Sequence, residues 1–461
     1  MLFGKGAKSY RIDMCSGSIV PRLLMFTGPL VLSSVLQLLF NAADVVVVGK
    51  YAGDNSLAAV GSVGPLINLL ISLFMGLSIG SNVLASCFYG SGDDVQMTRT
   101  VHTSMLVSLL SGIILAAVGV LFSTRILIWM NTPDEVLALA SLYLRLYFLG
   151  MPASMIYNFG SAILRAVGDT KRPMYYLTAA GIVNVLLNLL FVIVFHMDVA
   201  GVAIATVISQ IISAFLVTRC LMNEKGSMKL ELRKLSIDKT TLLRIIRIGL
   251  PASFQGMLFS ISNVIIQSSV NGFGATVVAG NSAAQNIEAF VYVAMNAFYQ
   301  SCLSFVSANV GARKYDRINK ILIRAEICVI FTGLIFGGSA YIFSYGLLSL
   351  YTDSPAVMDA GFVRMGYVSL PYFLCGMMDV MVGALRGLGY AILPMIVSLV
   401  GACGLRLLWI FTFFRTPRFH EARFLYITYP VSWTVTFLAH VVCYIIVKRK
   451  FDRQHKYVEK I

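Results

Sequence analysis

The chain predicts an all-α polytopic membrane protein: twelve transmembrane helices in two pseudo-symmetric six-helix bundles around a central cleft. Three observations predict it. Of 461 residues, 58% are apolar and only 12% are charged, against about 25% charged in a soluble domain, and the mean hydropathy is +0.81. Apolar runs long enough to cross about 30 Å as helices recur twelve times. Landmarks of the first half of the chain reappear in order in the second. A soluble multidomain enzyme, a disordered chain and a secreted disulfide scaffold are excluded, because none could cover this much apolar surface.

The expected spans are 21–48, 57–89, 101–123, 136–160, 174–196, 200–222, 243–270, 275–309, 319–345, 357–384, 391–414 and 427–448. None shows the strand alternation of an outer-membrane barrel. The first run begins near Pro21 and is too long for a cleavable signal, so it reads as an uncleaved first span. Placing the N-terminus in the cytoplasm puts 28 Lys and Arg on the inner side and 5 on the outer side. By the positive-inside rule both termini are then cytoplasmic, in the cell (plasma or inner) membrane. The net charge of +15 has the same source. No basic stretch is interleaved with base-stacking aromatics, so no nucleic-acid partner is expected. The eight cysteines form no CxxC pair and read as small buried hydrophobes.

The most polar stretch lies mid-chain, and six spans flank it on each side. It divides the chain into an N-terminal lobe, 1–223, a cytoplasmic inter-lobe loop, 224–242, and a C-terminal lobe with its tail, 243–461. The halves look duplicated. ILRAVGDTKRPM (163–174) and ALRGLGYAILPM (384–395) share LRxxGxxxxPM at an offset of 221. Arg145 and Pro152 correspond to Arg364 and Pro371, and Pro29 to Pro251. Two like halves meeting at a cleft is a transporter architecture.

Carboxylates inside a membrane cost about 2.5–3.5 kcal/mol each on insertion scales and mark function by default. Three acids fall deep in the expected spans: Asp44, Glu288 and Asp379. Asp44 shares its helix with Gln37 and Asn41, above a kink expected at Pro29. On span five, Asn184 and Asn188 share one face of an otherwise apolar run. A carboxylate among amides can carry a proton, or hold Na+ through Asp44, Asn184 and Asn188. Glu288, with Gln285 nearby, and Asp379 are secondary candidates, and Arg406 needs a partner for which Asp379 is one candidate. No P-loop, HExxH or GxSxG motif is present, so neither enzymatic chemistry nor a cofactor is expected, and H+ or Na+ is the coupling ion.

Over residues 18–450 the chain resembles the multidrug and toxic compound extrusion (MATE) family. The resemblance is carried by GPLVLSSVLQLLFNAADVVVVGKYAGDNSLAAVG, the two LRxxG segments and NVLLNLLFVIVFHMDVAGVAIATVISQ. It looks closest to the DinF-like branch, whose N-lobe polar cluster maps onto Gln37, Asp44, Asn158, Asn184, Asn188 and Thr206, with the kink proline at Pro29. The Asn188 position is often aspartate in that branch, so here a single carboxylate would carry the charge. The resemblance implies cation-coupled (H+ or Na+) antiport that exports amphipathic, mostly cationic organic compounds or drugs from the cytoplasm by alternating access, and a monomer in the lipid bilayer. The alternative is a flippase of a lipid-linked saccharide or peptidoglycan precursor, which would place Arg145, Arg364 and Arg406 where they meet a pyrophosphate.

Overall fold

In the computed structural model of the chain, residues 10–130 and 132–456 are described. Among them every regular element is helical. Eleven helices are long and apolar enough to cross a membrane, and one bent pair counted as a single span makes twelve. The chain divides into two compact units. Counting described residues, the first takes Met1–Asp13 and Gly28–Ser253, the second Met14–Thr27 and Phe254–Ile461. Two long helices therefore change unit along their length: α1 (Ile19–Tyr51) beside Pro29 and α8 (Lys239–Asn271) just past Pro251.

The first unit continues with α2 (Asp54–Ser91), α3 (Asp94–Trp129), α4 (Asp134–Leu149), α5 (Met151–Ala166), α6 (Lys171–Leu189) and α7 (Asp198–Met222). Asp93 caps α3, its side chain accepting from the Gln96 amide at 3.0 Å. The expected straight fourth span, 136–160, is an elbow: α4 and α5 meet at 45°. Gly150 sits at the bend and Pro152 lies in the first turn of α5, where its missing N–H costs least. Past Leu189, α6 continues as a π-helical turn, Leu190–Val194.

The polar mid-chain segment is folded onto the first unit. Met228 and Leu230 are buried in a cluster with Met97, Val101, Ile163 and Val217. The Glu231 amide donates to His102 Nε2 at 3.2 Å, and the Asp238 amide donates to Thr103 Oγ1 at 3.1 Å. Asp238 then caps α8, accepting from the Thr241 amide and hydroxyl, which hold its carboxyl below the usual range. By packing, the division between the units falls after Ser253.

The second unit holds α9 (Ala275–Gly311), α10 (Tyr315–Ile342), α11 (Ser344–Leu348), α12 (Pro355–Tyr367), α13 (Phe373–Gly387), α14 (Ile392–Ser398), α15 (Leu405–Phe411), α16 (Ala422–Tyr426) and α17 (Thr428–Lys456). The expected tenth span, 357–384, is broken by a 3-10 turn at Leu370–Tyr372 containing Pro371, the counterpart of Pro152. A π-helical turn, Leu399–Gly404, joins α14 to α15. The start of α1 packs within this unit. Phe26 meets Phe305 edge-on, with ring centroids 5.5 Å apart. The Thr27 and Ser301 hydroxyls are 2.8 Å apart, and Asn309 Nδ2 donates to the Met14 carbonyl at 2.9 Å.

The repeated LRxxG motif has a common structural cause. Gly168 and Gly389 both take left-handed backbone, φ 88° and 89°, where the preceding helix ends. In each copy the next residue's amide donates back to the motif leucine at 3.0 Å: Asp169 to Leu164, and Tyr390 to Leu385.

Candidate functional site

In the first unit, α6 turns one face toward α1. Gly181, Asn184 and Asn188 recur on it at helical spacing. A Cβ on Gly181 would lie 1.9 Å from the Phe40 ring, so any side chain there would push that ring aside. One turn beyond Phe40, half-buried Asp44 accepts a hydrogen bond at Oδ1 from Asn188 Nδ2. A looser chain continues inward. Asn188 Nδ2 also reaches Asn184 Oδ1 at 3.4 Å, and Asn184 Nδ2 lies 3.4 Å from Thr206 Oγ1, which donates to the Val202 carbonyl at 2.9 Å. Asn184 and Asn188 are buried. Asn188 Oδ1 is itself buried and has no partner.

Electrostatics fix that orientation. With Asp44 ionised, only the amide N–H of Asn188 can face it, and the carbonyl must turn away. Among the described residues no Lys, Arg or His pairs with Asp44. Tyr143 and Tyr147 of α4, stacked with centroids 6.0 Å apart, lie within electrostatic reach of the carboxylate. They belong to an apolar wall with Val47, Val48, Met151 and Met155. Sequence reasoning missed both tyrosines, because nothing in α4 sets them apart from other membrane aromatics.

The other N-lobe candidates stand apart from this chain of bonds. Gln37 and Asn41 are exposed. Asn158 uses its Nδ2 on the Ser154 carbonyl of its own helix, at 2.9 Å. Pro29 lies inside α1, which is continuous as a helix through it.

In the second unit Glu288 is buried and locked. Arg364 donates to both of its oxygens, Nε to Oε1 at 3.1 Å and Nη2 to Oε2 at 2.7 Å, and the Ser369 hydroxyl adds a bond of 3.3 Å. Arg364 Nη1 also donates to Asn281 Oδ1 at 2.8 Å. Gln285 is exposed and outside this network. Asp379 and Arg406 form no ion pair, so the partnership considered for them is not made. Arg406 instead donates through Nε to Ser432 Oγ at 2.8 Å and stacks over Tyr429 and Trp433, 4.3 and 5.6 Å from the ring centroids. Arg386, in the second LRxxG segment, is buried and donates to the Tyr299 hydroxyl and to Gln255. One intramembrane acid was missed altogether. Both carboxylate oxygens of Glu326 on α10 are buried without a partner. Its closeness to Lys320 and Arg324 made that stretch read as the polar end of a span.

Eleven or twelve helices of this length and apolarity define a multi-pass membrane protein. The family model described as MatE matches residues 29–190 and again 251–412, so the chain belongs to the MatE family of multidrug efflux transporters and is not an enzyme. Both ends of the second match lie 222 residues after those of the first, the offset that relates Pro29 to Pro251. The chain is 28% identical over 432 residues to the probable multidrug resistance protein YoeA of Bacillus subtilis, covering 91% of this chain and 92% of that one. It is 27% identical over 396 residues to YpnP of the same organism, covering 86% and 88%. A solved structure of a multidrug resistance MATE transporter in an outward-facing conformation superposes with a TM-score of 0.88 at 21% identity. That match covers 97% of this chain and 100% of the other.

Proposed function

We propose that this chain is a cation-coupled antiporter that uses H+ or Na+ to export amphipathic, mostly cationic organic compounds from the cytoplasm by alternating access. It works as a monomer in the cell membrane with both termini inside. The observation that carries this is the pairing of Asp44, a half-buried carboxylate without a basic partner, with Asn188, whose buried Oδ1 accepts nothing. A negative charge beside an unused acceptor is a cation site. A proton neutralises Asp44, whereas Na+ takes oxygens from Asp44, Asn188 and Asn184. The apolar and tyrosine wall beside it suits an amphipathic cation, which competes with the coupling ion for the same charge.

Coupling requires that ion and substrate prefer different states of the carrier; a ligand binding both states equally shifts nothing. The moving element in this reading is α1. Pro29 has no N–H to give the Met25 carbonyl, so the helix is weakest where its packing passes from the second unit to the first. The names of the relatives, multidrug resistance proteins, support the substrate class. The flippase reading needs free arginines for a pyrophosphate. Of the three, Arg364 is committed to Glu288, Arg145 holds the Ser123 and Thr124 hydroxyls at 3.1 and 3.0 Å, and Arg406 alone keeps an unpartnered donor, where a pyrophosphate needs several.

The test is transport by purified protein in proteoliposomes under imposed proton or sodium gradients, with a cationic dye and a lipid-linked sugar as rival cargoes. Gradient-driven dye movement that disappears in Asp44→Asn is expected. Undiminished export by that variant, or movement of the lipid-linked sugar alone, overturns the proposal.

A further inference from the structure

The second unit carries a buried guanidinium, Arg406, that makes no ion pair with any described residue. Arg364, Arg406, Tyr426, Tyr429 and Trp433 form one cationic and aromatic cluster in which both guanidinium groups face the Tyr429 ring, at 5.3 and 4.3 Å. Arg364 also lies over Tyr426, at 5.4 Å. The only carboxylate bonded to this cluster among the described residues is Glu288, and both of its oxygens are taken by Arg364. Arg406 is 4% exposed. Its Nε donates to Ser432, but its Nη2 is buried and donates to nothing. The Tyr426 hydroxyl, on a residue 1% exposed in the same cluster, is a second buried group without a partner.

Aromatic faces do not meet this need. A ring quadrupole attracts a guanidinium through its plane but accepts no in-plane N–H, so Nη2 stays unsatisfied however well the rings stack. A buried guanidinium persists when paired or hydrogen-bonded through its remaining donors. A group that completes this one presents an acceptor to Nη2 beside Tyr429, Trp433 and Ser432, and a negative charge also balances the guanidinium. We propose that Arg406 is an anion-binding site in the second unit, taking one monovalent anion. That anion is either a halide or the carboxylate of a small organic compound. The site is independent of Asp44, which lies in the other unit, and stands whether or not Asp44 couples export.

The experiment uses the full-length protein in detergent at constant ionic strength, with methanesulfonate, neither halide nor carboxylate, replaced stepwise by bromide or by benzoate. Thermal unfolding is followed, together with Trp433 fluorescence in a Trp129→Phe, Trp409→Phe background, since the chain has three tryptophans. A saturable rise in melting temperature is expected in at least one series, with quenching of Trp433 fluorescence in the bromide series. Arg406→Gln is expected to weaken the apparent affinity by tenfold or more. A bromide response assigns the site to inorganic halide; a response to benzoate alone assigns it to organic carboxylates. Should Arg406→Gln fail to fold, wild-type crystals grown in bromide give the answer through an anomalous peak within hydrogen-bonding distance of Nη2. The proposal is overturned if neither anion gives a saturable shift, if the shift survives unchanged in Arg406→Gln, or if no bromide peak appears beside Arg406.

Discussion

Asp44 and Glu288 are both carboxylates on long apolar helices, and the two units treat them in opposite ways. Glu288 is buried on a densely packed helix, with a guanidinium clamped across both oxygens. Asp44 is half-buried on the sparsely covered α1, held by one amide. The duplication accounts for the difference. It reproduced the arginine, as Arg145 and Arg364, but not an acid opposite it in the first unit, where Arg145 holds two hydroxyls instead. Asp44 in turn has Ile266 at the equivalent offset in the second unit. A membrane-buried acid facing a fixed guanidinium reads as structure. One facing only an amide has no fixed counterion.

Four measurements break or sharpen this contrast. Glu288→Gln carries the largest expected effect. It strands Arg364 in a buried site and costs about 3–5 kcal/mol, read as a large fall in melting temperature. Glu288→Gln combined with Arg364→Met should recover most of the loss. Next comes Gly181→Ala, whose methyl group would meet the Phe40 ring. Overpacking of this kind costs about 1–3 kcal/mol, and moving α1 off α6 should lower gradient-driven export along with stability. Asp44→Asn should change stability by less than about 1 kcal/mol, within reach of a melting curve, while abolishing coupled transport. A loss of stability equal to that of Glu288→Gln would erase the distinction between the two acids. The smallest effect lies outside the membrane. The Asp238 carboxyl is held below its ordinary value by the Thr241 hydroxyl and amide. Its capping contribution is therefore complete above the unfolded pKa, near 4, and is lost as pH falls through the lower folded value. A slight stability loss in Asp238→Ala that vanishes in strong acid is the expected profile.

Much of this was legible in the sequence. The spans follow from hydropathy because a bilayer forces backbone polar groups into helices. The repeated LRxxG segments pointed to Gly168 and Gly389 because only glycine takes that backbone cheaply. Asn184 and Asn188 could be placed on one face by arithmetic, and the structure brings that face to Asp44. What the sequence left open is which neighbour covers each helix face. Gln37, Asn41 and Gln285 lie within two turns of acids on the same helices yet are exposed and outside the bonded networks, and spacing along one helix does not say what packs against it. Arg364 and Glu288 are 76 residues apart, so their pairing could not be read from local pattern, although the Arg145–Arg364 repeat had marked the arginine. Glu326 was hidden by its basic neighbours. The bends at Gly150 and Pro371 were signalled by prolines whose effect depends on where in the helix they fall.

The exchange of helix segments between units also bears on how the protein is made. Thr27 is joined to a partner 274 residues later in the chain, and Asn309 reaches back 295 residues to Met14. At a synthesis rate of about 5–20 residues per second, the start of the first helix waits roughly 15–55 s for its neighbours. Until α9 is inserted, those early residues must be sheltered by lipid or by the insertion machinery. A ribosome stalled after residue 253 would therefore leave a first unit whose own helices are all present, tethered to a leading segment that has nowhere to dock.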